Sequence, residues 1–264
     1  RILVYRKDLN IGGWFSFNAT KQDWKSFYAN KMFEHFFDVD MINKSFKGID
    51  VNEELLISQN LDFSSMNNKK VLVIGGGPST KTLTDEKLEE YDFLFSCNHF
   101  YRNPFLQNKK IHVVLVGDEV ILEDGKFISY IKKFSPVLGF EHSSRRSTHN
   151  VIKFKRIYPK SFVYLTRYFS RLGYVARACV LAKCMGANHI DFIGLDGFKN
   201  KTHAFENTKQ PPPFNNEVLF RDQMRIFCEY MINDLQTNEF NNLSENSDES
   251  IYKGILTGVK NEKN

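Results

Sequence analysis

The residues best suited to chemistry are small, amide or acidic groups that each follow an apolar run. Gly75-Gly76-Gly77-Pro78-Ser79 follows Val71-Leu72-Val73-Ile74, and Asn98 follows Phe93-Leu94-Phe95-Ser96-Cys97. Asp118 and Glu119 come after Val113–Gly117, and Asp196 and Gly197 after Phe192-Ile193-Gly194-Leu195. Glycines let the backbone approach a ligand closely, and the N–H groups of a helix start attract anions. The first run therefore predicts a buried strand that turns sharply into a helix, with a phosphate-bearing nucleotide on Gly75 to Ser79. It is not G-x-x-x-x-G-K-[ST], which excludes the ATPase P-loop, and it lacks the third glycine of G-x-G-x-x-G. A glycine-rich turn with no ligand is the competing reading.

A hydroxyl acceptor needs a base that titrates near neutrality, and histidine is the usual choice. His203 is the only histidine in the short loop after Asp196. His99 stands second, because strand alternation points it away from its neighbour Asn98. A departing phosphate is stabilised by a helix start and a nearby cation. Arg167, Arg171 and Arg177 flank Gly173, where a helix is predicted to begin, and Arg171 lies closest to that start. Arg177, inside the helix, reads as a solvated side chain. Asp118, Glu119 and Asp196 have the chemistry to hold Mg²⁺ against phosphate oxygens, but Asp118 and Glu119 also suit the cap of a helix beginning near Val120. No Ser-His-Asp or Cys-His pattern and no zinc spacing occurs, so no metal ligand is assigned.

These residues need strands to carry them. Strands are predicted at 70–75, 92–97, 111–116 and 189–194, with shorter ones at 136–140 and 161–165. Helices are predicted at 81–90, 121–132, 172–186 and 217–235. Alternating strands and helices imply an α/β fold with a Rossmann-like, doubly wound, mainly parallel sheet, whose ligands lie beyond the carboxyl ends of the strands. Residues 1–68 form an added aromatic-rich layer, with Trp24, Phe27, Tyr28, Phe33, Phe36 and Phe37 at helical spacing. The polar stretch 64–68 reads as a hinge into a main domain at 69–235. Residues 199–216 read as a lid-length loop, 236–264 as a polar tail, and 236–250 within it as disordered. The last residues, Ile251 to Asn264, join a short apolar piece to a basic end, the pattern of a peripheral membrane contact.

The chain has 264 residues, 42% of them hydrophobic, enough for one large or two small cores. It opens on Arg1 rather than Met, as a segment of a longer protein would. No apolar run reaches the roughly 20 residues of a membrane-spanning helix. Its four cysteines have no C-x-x-C spacing, and Cys97 and Cys179 sit in apolar patterns, which favours reduced core thiols and the cytoplasm. A net charge of +5 does not call for nucleic acid; a basic face toward an anionic nucleotide, or toward the inner face of a membrane, accounts for it.

Three blocks, Val73-Ile74-Gly75-Gly76-Gly77-Pro78-Ser79, Ser96-Cys97-Asn98-His99-Phe100-Tyr101 and Ile193-Gly194-Leu195-Asp196-Gly197-Phe198, resemble the bacterial lipooligosaccharide sialyltransferases. There they read roughly G-N-G-P-S, C-N-Q-F-Y and G-I-D-F-Y. Ala204-Phe205-Glu206-Asn207-Thr208-Lys209-Gln210 is similar to a further segment. The resemblance covers about residues 70–210. It implies a CMP-activated nonulosonic acid as donor, a glycan or protein acceptor, and inversion with no metal or other cofactor. It also implies that Gly77 and Ser79 touch the cytidine monophosphate, Asn98 the ribose or phosphate, Asp196 the nucleoside, and Gly173 the sugar or phosphate. Two features depart from the family. The stretch Pro211–Asn216, where the family carries its general-base histidine, has none, and Lys199 stands where a tyrosine follows G-I-D-F. Gly194-Leu195-Asp196 with Lys201-Thr202-His203-Ala204, and Asp118, are also similar to the motility-accessory and MptE-like proteins. That resemblance implies a flagellin nonulosonate transferase or a Mg²⁺-dependent diphosphokinase. A nucleotide-binding module without catalysis is the third reading.

Overall fold

A computed structural model describes residues 2–5, 14–17, 66–117, 119–141, 157–158, 160–164, 172–197, 204–205 and 217–262. Short strands β1 (Ile2–Tyr5) and β2 (Trp14–Phe17) pair antiparallel as a separate sheet. The rest of the aromatic-rich segment, including the stripe from Trp24 to Phe37, lies outside the described residues.

The main sheet has seven strands, β3 (Lys70–Ile74), β4 (Phe93–Cys97), β5 (Val113–Val116), β6 (Val137–Glu141), β7 (Ser161–Tyr164), β8 (His189–Ile193) and β9 (Glu239–Asn242). Their order is β7-β6-β5-β4-β3-β8-β9, and every neighbouring pair is parallel. The central strand β3 shows why: Val71, Leu72, Val73 and Ile74 are at most 1% exposed, and a strand covered on both faces reads as an unbroken apolar run. One face is covered by α1 (Asp85–Glu89) and α2 (Gly125–Phe134) through Leu88, Phe127 and Tyr130. The other is covered by α3 (Tyr174–Cys184), α4 (Glu217–Glu229) and α5 (Ile255–Asn261) through Val180, Phe227 and Leu256. The fold is thus an α/β, doubly wound sheet. Phe95, Phe127, Phe162 and Phe192 are among its largest fully buried side chains, each worth about 2–3 kcal/mol of burial.

Two expectations change. The helix predicted at 81–90 is a 3-10 turn at Pro78–Thr82 followed by the five-residue α1, because Leu83 takes an extended backbone and Thr84 caps a new start by accepting from Lys87 N. The predicted polar tail is part of the fold. Residues 239–242 make the edge strand β9, and Ile251, Tyr252, Leu256 and Val259 are buried against α4 and β8 rather than offered to a membrane. The signal was weak because β9 reads Glu-Phe-Asn-Asn: Phe240 is its only apolar residue, the buried Asn242 is polar, and Asn241 donates to Asp191 across the edge. Among the described residues no helix is long and apolar enough to cross a membrane.

Candidate functional site

Strand order reverses between β3 and β8: the chain winds outward from β3 to β7, then returns to the other side of β3. In open parallel sheets the crevice beyond the carboxyl ends at such a reversal is where ligands bind. The turns after β3 and β8, Gly75–Ser79 and Gly194–Gly197, flank it.

They are clasped to one another. Gly75 N donates to Ile193 O at 2.8 Å and Gly77 N to Gly194 O at 2.9 Å. Ser79 N and Ser79 Oγ both donate to Asp196 Oδ2 at 2.9 Å, and Ser79 Oγ accepts from Gly194 N at 3.0 Å. Thr80 N closes the turn on Gly77 O, and Pro78, buried, has no N–H. The two glycines that face each other have no alternative. A Cβ on Gly77 would lie 2.2 Å from Asp196 Oδ2, and Gly194, at φ +78°, would place one 2.6 Å from Thr80 Cγ2. The sequence reading expects the N–H groups of this Gly75–Ser79 turn to face a phosphate. Those of Gly77 and Ser79 are engaged by β8 and its turn, and the empty space at Gly77 accommodates a carboxylate of the protein itself.

Asp196 is 2% exposed, and its second oxygen, Oδ1, is buried with no hydrogen-bond partner among the described residues. Leaving such an acceptor unmatched costs about 1–3 kcal/mol, so Oδ1 is the group in the clasp with capacity for an outside donor. Behind it, Ile251 N donates to the Asp196 carbonyl, and Ile251 packs where a Cβ on Gly197 would lie. Burial, and then the Asp196 charge, hold the Tyr252 phenol protonated.

The start of α3 stands beside the clasp. Val175 Cγ2 is 2.7 Å from where a Cβ of Gly75 would be, and the Tyr174 ring fills the space that a Cβ on Gly117 would take. Gly173 precedes the helix at φ +80°, ψ −149°, a conformation essentially confined to glycine, and no side chain among the described residues caps the helix. The eleven-residue α3 thus aims its first-turn N–H groups at the carboxyl-end rim between β3 and β5.

Arg177 is the residue that the sequence reading placed wrongly. It is 6% exposed, not solvated, and its guanidinium lies 5.0 Å over the Tyr174 ring. Its charge reaches Cys97 at the end of β4: burial pushes that thiol up to about 12, with Arg177 pulling the other way. The signal was present. Tyr174-Val175-Ala176-Arg177-Ala178-Cys179-Val180-Leu181 is apolar all round except for Arg177, which is the pattern of a buried helix.

Asn98 follows Cys97 at φ +45°, and its Oδ1 accepts from Gly117 N at 2.7 Å, which ties the ends of β4 and β5 together. That oxygen braces the two strand ends. His99, half-buried in the same turn, lies 6.2 Å from the Tyr101 ring. Farther out, Tyr101 Oη and Arg102 Nη2 donate to Asp124 Oδ2 at the start of α2. Burial opposes ionisation of Asp124, but Arg102, Tyr101 and the Lys126 N–H outweigh it and hold the carboxyl down at about 2. Asp118, Arg171 and His203 lie outside the described residues. Ala204, next to His203 in the chain, donates from its N to Gly76 O at 2.9 Å, and Phe205 is buried. Among the described residues no group of three or more His, Cys, Asp or Glu side chains converges as metal ligands.

No family model matches the chain, and no curated protein sequence matches it. Among solved structures, a similar chain is that of the sialyltransferase CstII from Campylobacter jejuni in complex with a substrate analogue, CMP-3FNeuAc. The two are 18% identical, the match covers 68% of this chain and 83% of that one, and the TM-score is 0.48, too low to bear on what this chain does.

Proposed function

We propose that the chain is a glycosyltransferase that takes a CMP-activated, sialic-acid-like nonulosonate and transfers the sugar to a glycan or protein acceptor, with no cofactor required. The observation that carries the reading is the pairing, at one reversal point, of a buried carboxylate oxygen with open capacity and a glycine-started helix bearing a buried arginine. Two of the sequence blocks that resemble the lipooligosaccharide sialyltransferases, Val73–Ser79 and the described part of Ile193–Phe198, meet at that same point.

The parts then divide the work. Asp196 Oδ1 accepts from an N–H or O–H of the nucleoside. As the bond from the anomeric carbon to the phosphate oxygen breaks, positive charge grows on the sugar and negative charge on the leaving CMP. The start of α3 and Arg177 stabilise that phosphate. The acceptor hydroxyl attacks the anomeric carbon and gives its proton to a base. His203 is the candidate, supported by the contact of its neighbour Ala204 with the glycine turn.

A thermal-shift screen of CMP, CDP, UDP, GDP, ADP and ATP, each with and without Mg²⁺, tests the donor. Stabilisation by CMP without metal is expected; a requirement for ATP with Mg²⁺ would replace this reading with the diphosphokinase. For the base, His203→Ala should lower turnover by about 10²–10⁴ with little change in donor binding, and the rising limb of the pH–rate profile should disappear. Near-normal turnover in that variant would remove His203 and make His99 the next residue to replace.

A further inference from the structure

The opposite pole of the sheet carries a surface that the proposed reaction does not use. Because all seven strands are parallel, the segments that lead into them gather at one end. Lys110 precedes β5, Lys132 and Lys133 occupy the last turn of α2 before β6, and Lys160 precedes β7. Neighbouring strands lie ~4.8 Å apart, so Lys110 and Lys160 enter the sheet only ~10 Å from one another, with the end of α2 between their strands in the chain. All four are exposed, and none forms an ion pair with a described carboxylate, whereas the adjacent Lys109 pairs with Asp85.

Two of them are held in place without being neutralised. Lys160 Nζ donates to Ser135 O at 2.8 Å and Lys133 Nζ to Asn108 Oδ1 at 3.4 Å. Their field converges: burial first, then Lys110 and Lys160, keep the half-buried His112 imidazole below its usual range. An exposed apolar side chain leads into the same strand as Lys160. Ile157, three residues before Lys160, is 53% exposed and, with Val218, is one of two exposed large hydrophobics among the described residues. Clustered lysines beside an exposed aliphatic side chain are the composition of a contact at a lipid headgroup layer. A single-stranded nucleic acid would call instead for aromatic faces open to stacking, and Phe134 here lies beneath Lys133 Nζ at 4.8 Å.

We propose that this pole docks on an anionic lipid surface through Lys110, Lys132, Lys133 and Lys160, with Ile157 reaching the headgroup level. The carboxyl-end rim is then turned toward the aqueous phase. The C-terminal segment, to which the sequence pattern assigned such a contact, has its apolar side chains in the core.

Co-sedimentation with vesicles of phosphatidylglycerol and phosphatidylcholine, against phosphatidylcholine alone, tests the proposal on the full chain. Binding should require the anionic lipid, weaken as salt is raised, and fall on the order of a hundredfold or more in K110E/K132E/K133E/K160E. The single variant Ile157→Asp should weaken it by a smaller factor, and serves alone if the quadruple variant fails to fold. Equal binding to neutral vesicles would overturn the proposal. So would undiminished binding by a folded quadruple variant or by Ile157→Asp, or retention on RNA without binding to vesicles.

Discussion

The clasp between β3 and β8 and the start of α3 touch at Gly75, yet they use their polar groups in opposite ways. In the clasp almost every donor is turned inward: Gly75 N, Gly77 N, Ser79 N and Ser79 Oγ all end on β8 or the turn after it. At α3 the helix starts on Gly173 with no side-chain cap among the described residues, and Arg177, buried, lies over the Tyr174 ring. One region is closed on itself by its own hydrogen bonds, and the other carries a buried positive charge. Preorganised charge on a rigid support is what stabilises a leaving group without reorganisation at the moment of reaction. Two glycine-marked turns of similar appearance can thus have different tasks.

The largest expected effect breaks the frame. In Gly77→Val the added carbons meet Asp196 and the Gly194 carbonyl, so the turns must part. Chemical denaturation should show a loss of about 2–3 kcal/mol, with CMP binding lost at the same time. Unchanged stability with lost binding would instead restore a direct phosphate role for this turn. The next separates the two regions. Arg177→Met keeps the side chain's length and removes its charge, so CMP affinity by calorimetry should fall about 10–100-fold. Stability should move less than in Gly77→Val. Unchanged affinity would take the phosphate away from α3.

The smallest effect lies at the outer end of the rim. The Asp124 carboxyl is held at about 2 in the folded chain, below the ordinary ~3.9 of an unfolded aspartate. Because the folded value is the lower one, its contribution is full above about pH 4 and is lost as pH falls toward 2. Asp124→Asn should therefore cost about 1–2 kcal/mol at pH 6, and the difference from the parent chain should shrink as pH falls and vanish below about 2. A difference that stays constant with pH would mean that Arg102 and Tyr101 do not act through this carboxylate's charge.

Much of the architecture could be read along the chain. Buried parallel strands are continuous apolar runs, so β3, β4, β5 and β8 announced themselves, and the small and acidic residues just beyond them marked the rim. Edge strand β9 did not, because only one of its four residues is apolar. Arg177 was misread because its charge was weighed without the apolar helix around it.

What the sequence determined alone is the strand–helix alternation and the identity of the groups at each strand end, since these depend on local pattern and on residue type. Which of those groups are engaged by the protein itself depended on tertiary structure. Ser79 and Asp196 are 117 residues apart, and only the return of β8 to the side of β3 brings the hydroxyl to the carboxylate. That contact uses one oxygen of Asp196 and leaves the other unmatched, a distinction that no spacing along the chain contains. A hydrogen bond between distant segments is fixed by strand order and register, and these are set by the packing of the whole sheet rather than by either turn.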